Sequence, residues 1–176
     1  QCIAHWTRFS FESVFGRSWT ELGMWQVYDV CHNIAKIEEH VVEGVRRRVC
    51  VHRKGATRSF PPGHRDIPER YRETGQPVLI PGDMGRYSYL AVGAADAMKV
   101  SFGSTCHGAG RAESRTRAKK LMKGRDIRQE LEDQGIIAMA GSRSGLAEEA
   151  SVAYKDVADV VRVAAAAGLS RSVARM

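Results

Sequence analysis

Apolar and polar residues alternate along this chain with two different periods. Between residues 3 and 15, Ile3, Trp6, Phe9, Val14 and Phe15 recur at helical spacing, and Gly16 and Gly23 bracket the loop that follows. Residues 25–30 form a short apolar run with β-branched bias, which predicts a strand ending near His32 and Asn33. Residues 37–42 and 46–52 flank Glu43-Gly44, the pattern of a hairpin turn. From 54 to 76 the composition turns to Pro, Gly, Arg and Asp, predicting one long loop. Val78-Leu79-Ile80 reads as a buried strand stopped by Pro81-Gly82, residues 87–92 as another, and residues 100–103 as a third leading to His107. Ala118, Leu121, Met122, Ile127 and Leu131 predict helices within 113–134, broken near Gly124, and residues 136–140 a short strand. Over 157–167, Val157, Val160, Val161 and Ala164 share one helical face, with Gly168 as its stop. A strand begins near Ser172. Strands and helices mix without strict alternation and without an internal repeat, so the predicted class is α+β, mixed sheets with flanking helices.

Composition narrows this picture. The 176 residues suit one ordinary domain, and a 43% hydrophobic content supplies a core. A net charge of +7 points to a polyanionic partner. The four cysteines contain no CxxC pair, so free thiols in a reducing cytoplasm are expected. No run of 18 apolar residues and no signal peptide is visible, and no membrane partner is expected. The chain starts at Gln1 inside a helical pattern and stops at Met176 just as a strand starts, which reads as a fragment of a longer protein.

Four groups of residues carry candidate chemistry. In Gly103-Ser104-Thr105-Cys106-His107-Gly108-Ala109-Gly110-Arg111, one imidazole sits among small residues where a phosphate can approach the backbone, beside an arginine able to pair with it. His32-Asn33 reads either as a metal-ligand histidine or as a hydrogen-bonded structural one; Glu38 and Glu39 read as solvated hairpin residues. Pro81-Gly82-Asp83-Met84-Gly85-Arg86-Tyr87-Ser88 is glycine-rich but lacks the GKS/T ending of a phosphate loop, so a tight structural connection competes with a nucleotide contact. Two basic clusters, Arg46, Arg47, Arg48, Arg53, Lys54 and Arg58, and then Arg111, Arg115, Arg117, Lys119, Lys120 and Lys123, read as solvated faces or as holders of RNA phosphates.

Taken in order, Asp29-Val30-Cys31-His32-Asn33-Ile34-Ala35, Val51-His52-Arg53-Lys54-Gly55-Ala56-Thr57-Arg58, Pro77-Val78-Leu79-Ile80-Pro81-Gly82, Ser104-Thr105-Cys106-His107-Gly108-Ala109-Gly110-Arg111 and Ala153-Tyr154-Lys155-Asp156-Val157 resemble RtcB-type RNA ligases over nearly the whole chain. The resemblance covers the C-terminal portion of a single RtcB-like catalytic domain, residues 1–176. It implies a GTP- and manganese-dependent enzyme joining an RNA 3′-phosphate or 2′,3′-cyclic phosphate to a 5′-hydroxyl, in tRNA splicing and RNA repair. By the same resemblance His107 is the histidine that carries GMP, His32 a metal ligand and Asn33 a nucleotide contact. Pro81, Gly82, Asp83, Met84 and Ser88, with His107, Gly108, Ala109 and Gly110, would line the guanine nucleotide. Arg111 and Arg115 would stand near phosphate groups. RNA is the implied partner, with an archease-like activator as a further candidate.

Two positions depart from the family pattern. Asp83 stands for a serine and Arg86 for a small residue, and a carboxylate beside a phosphate repels it unless paired, as Arg86 would allow. The family's remaining Asp, Cys and His metal ligands would lie upstream of Gln1 and a nucleotide-contacting lysine downstream of Met176, so the segment alone is expected to be inactive. Cys31 and Cys106 are expected to be buried free thiols and not replacement ligands. The alternative is an RNA-binding remnant without nucleotide chemistry.

Overall fold

The computed structural model describes residues 1–176. The chain divides into two compact units, Gln1–Val30 and Cys31–Met176.

In the first unit, helix α1 (Cys2–Phe15) follows the predicted periodicity and ends at Gly16, whose left-handed φ of 62° lets its N–H bond the Glu12 carbonyl at 2.9 Å. Glu12 also accepts from the Trp19 N–H at 2.8 Å, and the Arg8 guanidinium lies 4.1 Å from the centre of the Trp19 ring. Residues 25–30 form no strand. They belong to no β-ladder, and a β-rich composition by itself does not make a strand.

The second unit holds every strand and the other helices. Strands β1 (Asn33–Val42) and β2 (Val45–Lys54) form an antiparallel hairpin in register from Asn33↔Lys54 to Val42↔Val45. Glu43 and Gly44 have φ of 51° and 78°, the double positive φ whose twist suits a two-residue hairpin loop. The stretch expected to be one long loop contains strand β3 (Ala56–Arg58) and a 3-10 turn at Glu69–Tyr71. Strands β4 (Pro77–Ile80) and β5 (Tyr89–Gly93) pair antiparallel, as predicted. Pro77 stands at the first position of a strand on the sheet's edge, where its missing N–H costs no ladder bond.

Residues 100–103 are not a strand: the short helix α2 (Ala97–Val100) ends there, and strand β6 (Ser104–Cys106) starts beyond it to pair with β3. Helices α3 (Arg115–Leu121), α4 (Ile127–Glu132), α5 (Arg143–Glu148) and α6 (Val157–Ala166) follow, with a 3-10 turn at Ser151–Ala153, and strand β7 (Ser170–Arg175) pairs with β5. These last four helices each start with a side-chain cap, from Ser114, Asp126, Ser142 and Asp156. Residues 136–140 are irregular: Ile136 and Ala138 pack inward while Ile137 and Met139 are exposed, a strand-like alternation with no partner strand.

The fold is therefore α+β, with three small antiparallel sheets ordered β1-β2, β3-β6 and β4-β5-β7. One apolar cluster joins Val78, Ile80 and Ala91 of the three-stranded sheet to Val157 and Val161 of α6 and to Ala109. A second joins Met122, Ile127, Leu131, Leu146 and Ala150. No helix is long and apolar enough to cross a membrane. All four cysteines are free, and Cys31 is exposed, not buried as expected, because it precedes the first strand of its unit; Cys106 is partly buried.

Candidate functional site

His107 follows β6 directly, and the chain reaches β6 through a left-handed reversal at Phe102 and Gly103, with φ of 52° and 63°. Gly103 is required twice over. Its φ suits glycine, and a Cβ there would stand 2.5 Å from the Phe60 ring and 2.8 Å from the Met98 sulfur. The pairing of β6 with β3 then sets His107 beside Gly55, whose carbonyl accepts from the His107 N–H at 3.3 Å. The Gly55 N–H donates to the His32 carbonyl at 3.0 Å. One glycine backbone thus holds both histidines, and their rings stack at 3.9 Å with planes 3° apart. Burial, and then the neighbouring His32, hold His107 below the usual imidazole pKa, which favours the neutral ring whose lone pair can attack.

Beyond His107 the chain lies along Pro81. The Ala109 N–H donates to the Pro81 carbonyl at 3.0 Å, and a Cβ at Gly108 would approach that oxygen to 3.2 Å. Gly110 takes a φ of 73°, and its carbonyl accepts from the Lys155 N–H at 3.0 Å. The two segments predicted to line a nucleotide, 81–88 and 107–110, are therefore neighbours.

Within the first of these, Gly82 has no room for a side chain, since a Cβ would fall 2.3 Å from the Tyr87 carbonyl oxygen. The Asp83 side chain is fully buried. Its Oδ1 accepts from the Gly85 N–H at 3.0 Å and from the Ser151 hydroxyl, while Oδ2 lies 3.6 Å from Arg86 Nε. Arg86 also donates to the Lys155 carbonyl at 3.1 Å. The two departures from the family pattern thus face each other as an ion pair. Met84 turns toward the second apolar cluster, and Ser88 exchanges backbone hydrogen bonds with Met176 at 3.0 and 2.9 Å. Asn33 begins β1 beside His32 and is exposed.

Arg111 and Arg115 both meet the C-terminal end of α5. Arg111 donates to the Glu113 and Glu148 carbonyls, to Glu149 Oε1 at 3.3 Å and to the Tyr154 hydroxyl at 3.2 Å; that hydroxyl in turn donates to Glu149. Arg115 pairs with Glu148 at 3.4 Å, and Lys119 reaches the same carboxylate at 2.6 Å. The Lys119 ammonium holds the Glu148 carboxyl below its ordinary range. Arg117 pairs with Glu113 at 2.9 Å, so this basic cluster is met by three carboxylates, and Arg111 is a structural hub as well as a candidate phosphate contact.

Two sequence readings on the hairpin are corrected. Glu38 is not a solvated hairpin residue and Arg53 is not part of a basic face: both are buried and paired in bidentate fashion, NH1 to Oε1 at 2.7 Å and NH2 to Oε2 at 2.8 Å. His40 Nε2 lies 3.0 Å from Glu38 Oε2. Burial works against ionisation of Glu38, but the bonds from Arg53 and His40 outweigh it and its carboxyl titrates below the ordinary range. Removing one partner of such a pair strands a buried charge, at a cost of about 3–5 kcal/mol. No three His, Cys, Asp or Glu side chains come together as a metal-binding cluster, and His32 stands beside His107.

Residues 1–176 match the model of the family described as tRNA-splicing ligase RtcB. Proteins described as tRNA-splicing ligase RtcB are similar along the whole chain: that of Pyrococcus abyssi is 56% identical over 176 residues, covering 100% of this chain and 19% of the relative. That of Archaeoglobus fulgidus is 55% identical over 176 residues (100% of this chain, 36% of the relative), and that of Methanococcus maripaludis 53% identical (100% and 37%). The chain thus spans between 19% and 37% of the length of these relatives.

Proposed function

This chain belongs to the RtcB family, and from that premise we propose that the protein is a GTP-dependent RNA ligase acting through GMP carried on His107. The reaction joins an RNA 3′-phosphate or 2′,3′-cyclic phosphate to a 5′-hydroxyl, as tRNA splicing and RNA repair require. The observation that carries the reading is the stack of His107 on His32, with a neutral imidazole beside the glycine-lined segment 81–88. In the first step an imidazole nitrogen of His107 attacks the α-phosphorus of GTP and pyrophosphate leaves. A 2′,3′-cyclic phosphate is first opened by water to the 3′-phosphate, and the RNA 3′-phosphate then takes GMP from His107, restoring the imidazole. Attack by the 5′-hydroxyl on the activated end expels GMP and forms the new phosphodiester.

Gly108 and Gly110 let the backbone approach the nucleotide, and Asn33 and Ser88 border it. The Asp83 carboxylate is turned toward Ser151 and Arg86, so its charge is compensated within the protein and does not meet a nucleotide phosphate unpaired. Manganese, when bound, would offset phosphate charge, with His32 as one of its ligands and further donors supplied by the rest of the protein. Arg111 and Arg115 would hold RNA phosphates at the cost of their contacts with Glu148 and Glu149. The four free thiols suit a cytoplasmic setting.

The test is covalent labelling of the full-length protein with α-labelled GTP and manganese, followed by mapping of the adduct by mass spectrometry. GMP on His107, lost in His107→Ala, is the expected result. Label that persists in His107→Ala overturns the assignment. Manganese binding and salt-sensitive RNA binding without any label would mark the protein as an RNA binder that does not ligate.

A further inference from the structure

The buried pair of Arg53 and Glu38 has no place in the chemistry above, yet its side chains touch both segments that carry the histidines. Arg53 lies on β2 opposite Ile34, two residues from His32, and two residues before Gly55, whose backbone bonds His32 and His107. Its side chain is 2% exposed. Besides its two bonds to Glu38, the guanidinium donates from Nε to the Ser104 hydroxyl at 2.9 Å and from NH2 to the Phe102 carbonyl at 2.8 Å. Four bonds leave this one planar group, in two directions that lysine cannot serve together. One pair grips β1. The other grips the reversal from which β6 and His107 depart.

That reversal needs holding. Phe102 is one of two non-glycine residues in the chain with positive φ, a backbone state costly for an aromatic residue. Its carbonyl is an Arg53 acceptor, and its ring makes a T-shaped contact with His40, which itself bonds Glu38. Glu38, His40 and Arg53 thus form one buried assembly closing on residue 102 from the hairpin side.

We propose that Arg53, seated by Glu38, is a positioning residue for His107: its fork locks the Phe102–Ser104 reversal and thereby sets the stack of the His107 ring on His32. The inference rests on the proposed ligase reading for its catalytic consequence, but its geometric content stands apart. Loss of the fork releases Phe102 toward ordinary backbone angles and moves the base of β6. A displacement of about 1 Å at a reacting group costs about 10²-fold in rate.

The experiment compares Arg53→Lys and Ser104→Ala with the unmodified full-length protein, by two readouts. Imidazole NMR resonances, recorded without nucleotide or metal, report the histidine stack. Single-turnover GMP labelling across GTP concentrations separates rate from binding. Arg53→Lys, which keeps the charge and loses the fork, is expected to shift the His107 and His32 resonances. Its saturating rate falls about 10²-fold while the half-saturating GTP concentration changes by less than about twofold. Ser104→Ala, missing one bond of four, shifts both in the same direction and by less. Unmoved resonances in a folded Arg53→Lys protein overturn the proposal, as does a normal rate per folded molecule. If Arg53→Lys does not fold, Ser104→Ala decides by the same criteria. If the unmodified protein takes no label, the ligase reading fails, and the resonances alone still judge the positioning role.

Discussion

Gly103→Ala probes the reversal ahead of His107 from the steric side. Two separate costs are expected. Alanine at a φ of 63° occupies the left-handed region, at about 1–2 kcal/mol. Its methyl would also stand 2.5 Å from two carbons of the Phe60 ring and 2.8 Å from the Met98 sulfur, distances that force the neighbours to move. Phe60 is 1% exposed and cannot swing into solvent, so overpacking adds about 1–3 kcal/mol. The sum is about 2–5 kcal/mol. Gly124→Ala is the matched control: its φ is 83°, but nothing lies within 4 Å of the added methyl, so only the first cost applies. Guanidinium unfolding of the full-length protein followed by far-ultraviolet circular dichroism measures both. Adding Phe60→Leu should return part of the Gly103→Ala loss and none of the Gly124→Ala loss, the signature of a direct contact. Equal losses in Gly103→Ala and Gly124→Ala would refute the steric account, and no loss in either would refute the backbone account as well.

Three further outcomes follow from the same geometry. Val157→Ala removes two carbons from a fully buried side chain and should cost about 2–3 kcal/mol, at about 0.8 per carbon plus the void left against Val78 and Ile80; thermal unfolding checks it. Glu148→Gln releases Arg115 and Lys119 from a carboxylate, so RNA should bind more tightly and the slope of log affinity against log salt should steepen by about one; an unchanged slope would place these cations away from the RNA. Because burial and His32 lower the His107 pKa, the unfolded chain binds more protons between the folded value and the ordinary 6.5. That contribution to stability is complete above 6.5 and is lost as pH falls through the folded value, so an NMR titration should place the His107 midpoint below 6.5 and His107→Gln should flatten that part of the stability profile.

Much of the fold was legible where local rules suffice. Helix α6 has its apolar positions one turn apart and its stop at Gly168; the β1–β2 hairpin declares its turn through Glu43-Gly44. Residues 25–30 and 136–140 carry strand composition but gain no ladder, and pairing is not a property of a segment by itself. Helix α5 carries little sequence signal, because Ser142, Ser144 and Gly145 are weak helix formers and only Leu146 is buried. The stretch before His107 read as a strand because Val100 and Phe102 are apolar, whereas the glycine that follows marks a reversal. At the site, motif order pointed to His32, His107 and the 81–88 segment, and the pairing of Asp83 with Arg86 followed from charge. Glu38 and Arg53 could not be read the same way. Their burial depends on a hairpin register and on a covering segment, residues 102–104, about fifty positions later in the chain.

The order of strands β4-β5-β7 has a consequence for synthesis on the ribosome. Strands β4 and β5 are near neighbours in sequence and can pair as soon as both have emerged, but β5 meets its second partner only through Gly93↔Ser170 and the pairs beyond it. Until Val157, Val161 and β7 leave the exit tunnel, Val78, Ile80 and Ala91 have neither helix nor third strand to cover them. At a typical elongation rate of about 5–20 residues per second, that apolar sheet face stays uncovered for several seconds. A nascent chain stalled in this interval is the form on which a chaperone would act, and slow codons between residues 93 and 157 would lengthen its exposure without changing one residue of the finished protein.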